Sequence, residues 1–123
     1  MTDRPFMLSS PPDAEMLPRV IDIGPLRLDL FHRDGRCGEA WLGLHPREFE
    51  LLWFLARAPG RAYSRRELLA AVWRLDHEPG TNRVAVHVAR IRAKLDQCGL
   101  RDLLRTRAGG GYYISAVQSA PSG

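Results

Sequence analysis

Between Thr81 and Gln97, Val84, Val88, Ile91 and Leu95 recur at i, i+4, i+7 and i+11, and Arg83, His87, Arg90 and Lys94 repeat that spacing one position earlier. An α-helix gathers both sets into adjacent stripes, because about 3.6 residues per turn returns positions three and four apart to one side. The apolar stripe has to be covered by a core while the cationic stripe keeps contact with water. This helix, about 17 residues and roughly 25 Å long, therefore belongs on the surface of a packed domain. Ala85, Val86, Ala89 and Ala93 keep the rest of its outer surface small and smooth, and Arg92 projects from the far flank.

The flanking sequence supplies what packs against that stripe. Val20, Ile21 and Ile23, then Leu26, Leu28 and Leu30 alternating with Arg27, Asp29 and Phe31, have the period-2 pattern of short strands, with Gly24-Pro25 as the turn between them. Asp34-Gly35 is a hairpin-turn signal, and Ala40-Trp41-Leu42-Gly43-Leu44 supplies a further strand or two. Pro46 opens a helix at the favoured first-turn position, with Glu48 and Glu50 early and Arg57 late, and Pro59-Gly60 closes it. Leu51, Trp53 and Phe54, added to Phe49, Leu52, Leu55 and Ala56, make this helix apolar almost all round, so it is expected at the centre of the core.

Ser64 and Glu67 form a capping box that starts a second helix through Leu68, Leu69, Ala71, Val72 and Trp73. Residues 74–80 read as a loop. Residues 103–106 and 112–115 flank Arg107-Ala108-Gly109-Gly110-Gly111 as a second hairpin. The expected organisation is a tail over 1–18, one domain over 19–116 and a second tail over 117–123.

At 123 residues the chain is long enough for one core and too short for two. Its longest wholly apolar run, residues 51–56, falls far short of the ~18 a membrane span needs. Residues 1–20 lack the apolar stretch of a secretory signal, so the expected location is the cytoplasm, on the nucleoid. Cys37 and Cys98 lie 61 positions apart with no C-x-x-C pair, and His32, His45, His77 and His87 are scattered. Neither a disulfide framework nor a zinc site is expected from that spacing, and no cofactor. The net charge of +4 is unevenly placed: residues 81–107 hold seven basic and two acidic side chains, against seven and nine in residues 1–60. Such asymmetry points to a polyanionic partner, with a solvated helix face as the plain alternative.

A helix, a short link, a capped second helix, a loop, a basic third helix and a glycine-tipped hairpin make an α+β winged helix-turn-helix. Four blocks then carry a family likeness: Leu44-His45-Pro46-Arg47-Glu48-Phe49-Glu50-Leu51-Leu52; Ser64-Arg65-Arg66-Glu67-Leu68-Leu69 with Val72-Trp73; Val86-His87-Val88-Ala89-Arg90-Ile91-Arg92-Ala93-Lys94-Leu95; and Arg105-Thr106 with Gly109-Gly110-Gly111-Tyr112. In that order they resemble the OmpR/PhoB-type winged-helix domain of bacterial response regulators. The resemblance implies a four-stranded N-terminal sheet, three helices and a C-terminal hairpin wing. It implies a transcription regulator, not an enzyme, that binds double-stranded promoter DNA as a head-to-tail pair on direct repeats. The loop before the recognition helix, with Asp76, His77 and Glu78, would face RNA polymerase.

Carried over position by position, Val86, Arg90 and Arg92 match positions that meet DNA, His87 a phosphate contact, and Trp73 a place near the backbone. Arg83, Lys94, Thr106 and Arg107 complete the expected DNA-binding set. Trp73 also suits a core role, and His87 a structural one. The family's common acidic residue, threonine cap and wing arginine are replaced by Ala85, His45 and Ala108, and the absent wing arginine leaves Arg107 to contact phosphate or the minor groove. Too few residues precede the first strand for a receiver domain, so a stand-alone regulator is expected, with excision from a longer protein as the alternative. Two rivals remain: a protein-interaction module without specific DNA binding, and an enzyme using Ser64, Asp76 and His77, which the capping role of Ser64 opposes.

Overall fold

A computed structural model of the chain describes residues 19–76 and 82–115. The tails expected over 1–18 and 117–123, and the loop residues His77 and Glu78, lie outside the described residues. Strands β1 (Val20–Ile23), β2 (Leu26–Asp29), β3 (Asp34–Cys37) and β4 (Ala40–Trp41) form a four-stranded antiparallel sheet in chain order. Gly24 takes a φ of 58° in the β1–β2 turn, and alternate residues Ile23, Leu26 and Leu28 turn into the core.

One expected turn is corrected. Asp34-Gly35 lies within β3, and the reversal occurs earlier, where Arg33 takes a φ of 54° and its N–H reaches the Asp29 carbonyl at 2.8 Å. Two constraints hold Asp34-Gly35 in the strand. The Asp34 carboxylate accepts from the N–H groups of Gly35, Gly43 and Leu44 at 2.8, 3.1 and 2.9 Å, tying β3 to the approach of the first helix. A Cβ at residue 35 would stand 2.8 Å from Leu28, so Gly35 serves close packing here and not a turn.

Helix α1 (Pro46–Ala56) has no threonine cap; instead Glu48 accepts from the His45 N–H at 3.0 Å. Helix α2 begins at the Ser64 capping box, in which Ser64 Oγ accepts from the Glu67 N–H at 3.0 Å and Glu67 accepts from the Ser64 N–H at 2.8 Å. It runs from Arg65–Leu68 into a wide π-helical turn, Leu69–Trp73, and stops where Arg74 turns left-handed at φ 59°. Helix α3 is Arg83–Asp96, shorter than expected because Asn82 takes a left-handed φ of 53° and cannot extend it.

The wing is the antiparallel pair β5 (Leu104–Thr106) and β6 (Tyr112–Ile114). Tyr63 joins it from the α1–α2 link, exchanging backbone hydrogen bonds with Tyr112 at 2.9 Å in both directions. A single core collects Phe49, Leu51, Leu52 and Leu55 of α1, Leu68, Leu69 and Val72 of α2, Val84, Val88, Ile91 and Leu95 of α3, and Leu104 and Ile114 of the wing. The stripe that defines α3 in the sequence is thus fully covered.

Candidate nucleic-acid interface

The cationic stripe of α3 does not stay together as a surface. At about 100° per residue, His87 and Lys94 lie only about 70° and 90° from the centre of the apolar stripe, whereas Arg90 lies about 130° away. The structure follows those angles: Arg83, His87 and Lys94 are half-buried and Arg90 is exposed. The outward ridge consists of Val86, Ala89, Arg90 and Ala93, with Val86 39% exposed. Arg90 rises from this small-residue surface with no hydrogen-bond or ion-pair partner among the described residues.

Lys94 is turned inward, away from the expected DNA-facing stripe. Its Nζ donates to Glu48 at 2.6 Å and to the Gly43 carbonyl at 2.9 Å, so its charge compensates a carboxylate that is only 1% exposed. Burial pushes the Glu48 carboxyl up, but the bonds from Lys94 and the His45 N–H outweigh it and the net shift is downward. Lys94 thereby ties α3 to the start of α1 and to the approach from β4.

His87 and Trp73 form one unit across the helix-turn-helix. The rings meet edge to face, 5.0 Å between centroids at 78°. His87 Nδ1 lies 2.8 Å from the Arg83 carbonyl, and because a carbonyl only accepts, Nδ1 carries the proton. The ring's orientation is thereby set, with Nε2 left for another partner. Trp73 is half-buried against the core, so core packing and a place at the helix end coexist in one side chain. Asp76 is exposed where the described part of the following loop ends.

On the other flank, Arg92 bridges α3 and the wing. Its Nε donates to the Leu104 carbonyl at 2.9 Å, its Nη2 donates to Thr106 Oγ1 at 2.7 Å, and its guanidinium lies 5.9 Å from the Tyr112 ring centre. The Thr106 hydroxyl, used there as acceptor, keeps its own hydrogen for an external acceptor. The wing tip turns through Gly109, Gly110 and Gly111, all at positive φ. Arg107 folds across that tip, its Nε donating to the Gly110 carbonyl at 2.9 Å.

This fold-back brings Arg107 to the rim of an open groove of about 600 Å³ between the wing and the start of α2, lined by Ser64, Arg65, Arg66, Thr106 and Gly110 among others. Arg65 and Arg66 are exposed and have no partner among the described residues. In the sequence, Arg65 and Arg66 read first as part of the Ser64 capping box. The signal was the pair of arginines directly after the cap.

Residues 38–114 match the family of C-terminal domains of transcriptional regulatory proteins. The chain belongs to that family. Among curated OmpR/PhoB-type relatives, the phosphate regulon transcriptional regulatory protein PhoB of Rhizobium meliloti (strain 1021) is 39% identical over 106 residues, covering 83% of this chain and 45% of the relative. The alkaline phosphatase synthesis transcriptional regulatory protein PhoP of Bacillus subtilis (strain 168) is 38% identical over 95 residues, 76% of this chain and 40% of the relative. The chain thus spans less than half the length of these relatives. Among solved structures, the Klebsiella pneumoniae RstA DNA-binding domain, in complex with the RstA box, superposes with a TM-score of 0.71 at 25% identity, covering 81% of this chain and 100% of that one. The DNA-binding domain of CpxR from E. coli gives 0.69 at 27% identity, covering 80% and 98%. The winged helix-turn-helix expected from the order of elements is the fold of this OmpR/PhoB-type domain.

Proposed function

We propose that this domain binds double-stranded promoter DNA with α3 in the major groove and the wing against the adjacent backbone. The observation that carries the reading is the isolation of Arg90: neighbouring cations are engaged internally, while Arg90 stands unpartnered on the ridge of Val86, Ala89 and Ala93. Small neighbours let the helix approach base edges, and a guanidinium forms a bidentate pair with guanine. Val86 offers an apolar contact for a thymine methyl. Arg65, Arg66, Arg107 and the Thr106 hydroxyl hold phosphates beside the groove, with His87 and Trp73 at the opposite end of the interface. Arg92 is a positioning residue that sets the angle of the wing to α3. That the similar RstA DNA-binding domain is solved in complex with the RstA box supports DNA binding as the function.

The reading extends to two partners by family likeness: a second copy bound head to tail on a direct repeat, and RNA polymerase at the loop containing Asp76, His77 and Glu78. Exposed Asp76 supports the latter, because acidic groups beside a basic surface disfavour DNA and leave a protein as the fitting partner.

Equilibrium binding to duplex DNA across a salt series tests the central claim. With roughly 4–6 phosphate contacts, log K falls against log salt with a slope of about −4 to −5. Arg90→Ala costs the specific site about 1–3 kcal/mol and relaxes base preference. A flat salt titration would refute DNA binding, and an unchanged ratio of specific to random binding in Arg90→Ala would remove Arg90 from base reading. Replacing Asp76 and Glu78 together by alanine is expected to leave DNA affinity intact and alter transcription in a reconstituted assay.

A further inference from the structure

Thr106 stands between two grooves. One is the groove shared with the start of α2; the other, open and of about 480 Å³, is lined by Arg92, Arg101, Asp102, Arg105 and Tyr113 besides Thr106 itself. A short 3₁₀ turn, Arg101–Leu103, leads from the end of α3 into β5 and places the first of its arginines. On β5 the side chains alternate, so Leu104 turns into the core at 1% exposure and Arg105 faces outward beside its register partner Tyr113. Arg101 and Arg105 are both exposed.

The charges in this second groove are not balanced. Arg105 Nε donates to the Asp102 carbonyl at 2.9 Å, which fixes the plane of the guanidinium while its two terminal nitrogens have no partner among the described residues. Arg101 has none either, and the Asp102 carboxylate pairs with neither arginine. Arg92, held through Nε and Nη2 by Leu104 and Thr106, closes the groove toward α3. Three guanidinium groups thus stand against one carboxylate, and the one aliphatic residue of the lining among the described residues, Leu104, is sealed beneath the surface. A protein partner would find no apolar anchor there, whereas uncompensated arginines fit a polyanion.

We propose that this groove binds a second stretch of the DNA backbone, with Arg101 and Arg105 on phosphates beyond those held by Arg65, Arg66 and Arg107. The proposal rests on the reading of this domain as a DNA-binding one. The terminal nitrogens of a guanidinium match two phosphate oxygens at once, and the orientation already imposed on Arg105 reduces the freedom lost on binding. The Thr106 hydroxyl, with its hydrogen unused, donates to a phosphate between the two sets of arginines. Every sequence presents the same phosphates, so these contacts strengthen binding without choosing bases.

The test measures equilibrium binding of the full chain to specific and random duplexes from 50 to 200 mM salt. Arg101→Ala with Arg105→Ala is expected to make the slope of log K against log salt shallower by about 2, with the loss of affinity alike for both duplexes and shrinking about tenfold across that salt range. Arg101→Lys with Arg105→Lys retains most of the wild-type slope, because an ammonium group still neutralises a phosphate. Arg27→Ala with Arg36→Ala removes the same charge from the N-terminal sheet, where the two are register partners on β2 and β3, and leaves the slope unchanged. An equal loss in that pair would overturn the proposal, since net charge and not the groove would be responsible. So would a double alanine variant, shown folded by thermal unfolding, that keeps the wild-type slope, which would leave the groove to an acidic protein. A steep wild-type titration separates these failures from that of DNA binding itself, because a flat one removes the underlying reading and the proposal with it.

Discussion

Lys94 Nζ lies 2.6 Å from Oε1 of Glu48, a carboxylate 1% exposed at the first turn of α1, so a charge from α3 holds α1 in place. The same oxygen accepts from the His45 N–H at 3.0 Å, which makes Glu48 the joint between the helix start and α3. Removing one partner strands the other in the core, and a stranded buried charge costs far more than an exposed ion pair contributes.

Lys94→Ala is accordingly expected to lower folding stability by about 3 kcal/mol, with the slope of DNA binding against salt unchanged for the folded fraction. Paired replacement, Glu48→Gln with Lys94→Met, recovers most of that loss. Urea unfolding of the wild type and these two variants checks this; a Lys94→Ala protein of wild-type stability with weakened DNA binding would return Lys94 to the interface.

Acid provides a second test of the pair. The folded Glu48 carboxyl is held below its ordinary value, since Lys94 and the His45 N–H outweigh the opposing effect of burial. Its stabilisation is present above the unfolded value of about 4.3 and is lost as pH falls through the lower folded value. The thermal midpoint of the wild type should therefore drop more steeply below about pH 4.5 than that of Glu48→Gln, which starts lower at neutral pH. Parallel curves would show that another carboxylate controls the acid limb.

The bridge from Arg92 to Leu104 and Thr106 fixes the wing through two donors of one planar group. Arg92→Lys keeps the charge and loses the fork. We expect a cost of about 1–2 kcal/mol and faster amide exchange over residues 104–114, with DNA affinity reduced alike for all sequences. Unchanged exchange would mean that Tyr63 alone secures the hairpin.

Gly111 separates backbone strain from steric conflict. Both Gly109 and Gly111 have positive φ, but a Cβ at residue 109 meets nothing within 4 Å, whereas one at residue 111 stands 2.8 Å from the Tyr63 carbonyl. Gly109→Ala should cost about 1 kcal/mol, and Gly111→Ala roughly 2–3 kcal/mol, with amide shifts at Tyr63 and Tyr112. Equal costs would show that the Tyr63 backbone yields freely.

The local pattern of this chain determined its elements. The capping box started α2 at Ser64, Pro46 opened α1, and period-2 runs marked the strands, because each signal acts within one or two turns of backbone. The apolar stripe of α3 was legible for the same reason: helical angles follow from spacing alone. The same spacing put Val86, Ala89 and Ala93 on the outer surface, where they lie exposed. Tertiary structure alone decided which cations remain free. Lys94 and Arg92 resemble Arg90 as sequence, but a buried carboxylate from α1 claims the first, and a carbonyl and hydroxyl of the wing claim the second. It also turned Asp34-Gly35 from a turn into a strand, through backbone amides up to ten residues away. These outcomes depend on which desolvated groups meet in three dimensions, and no window along the chain contains both partners.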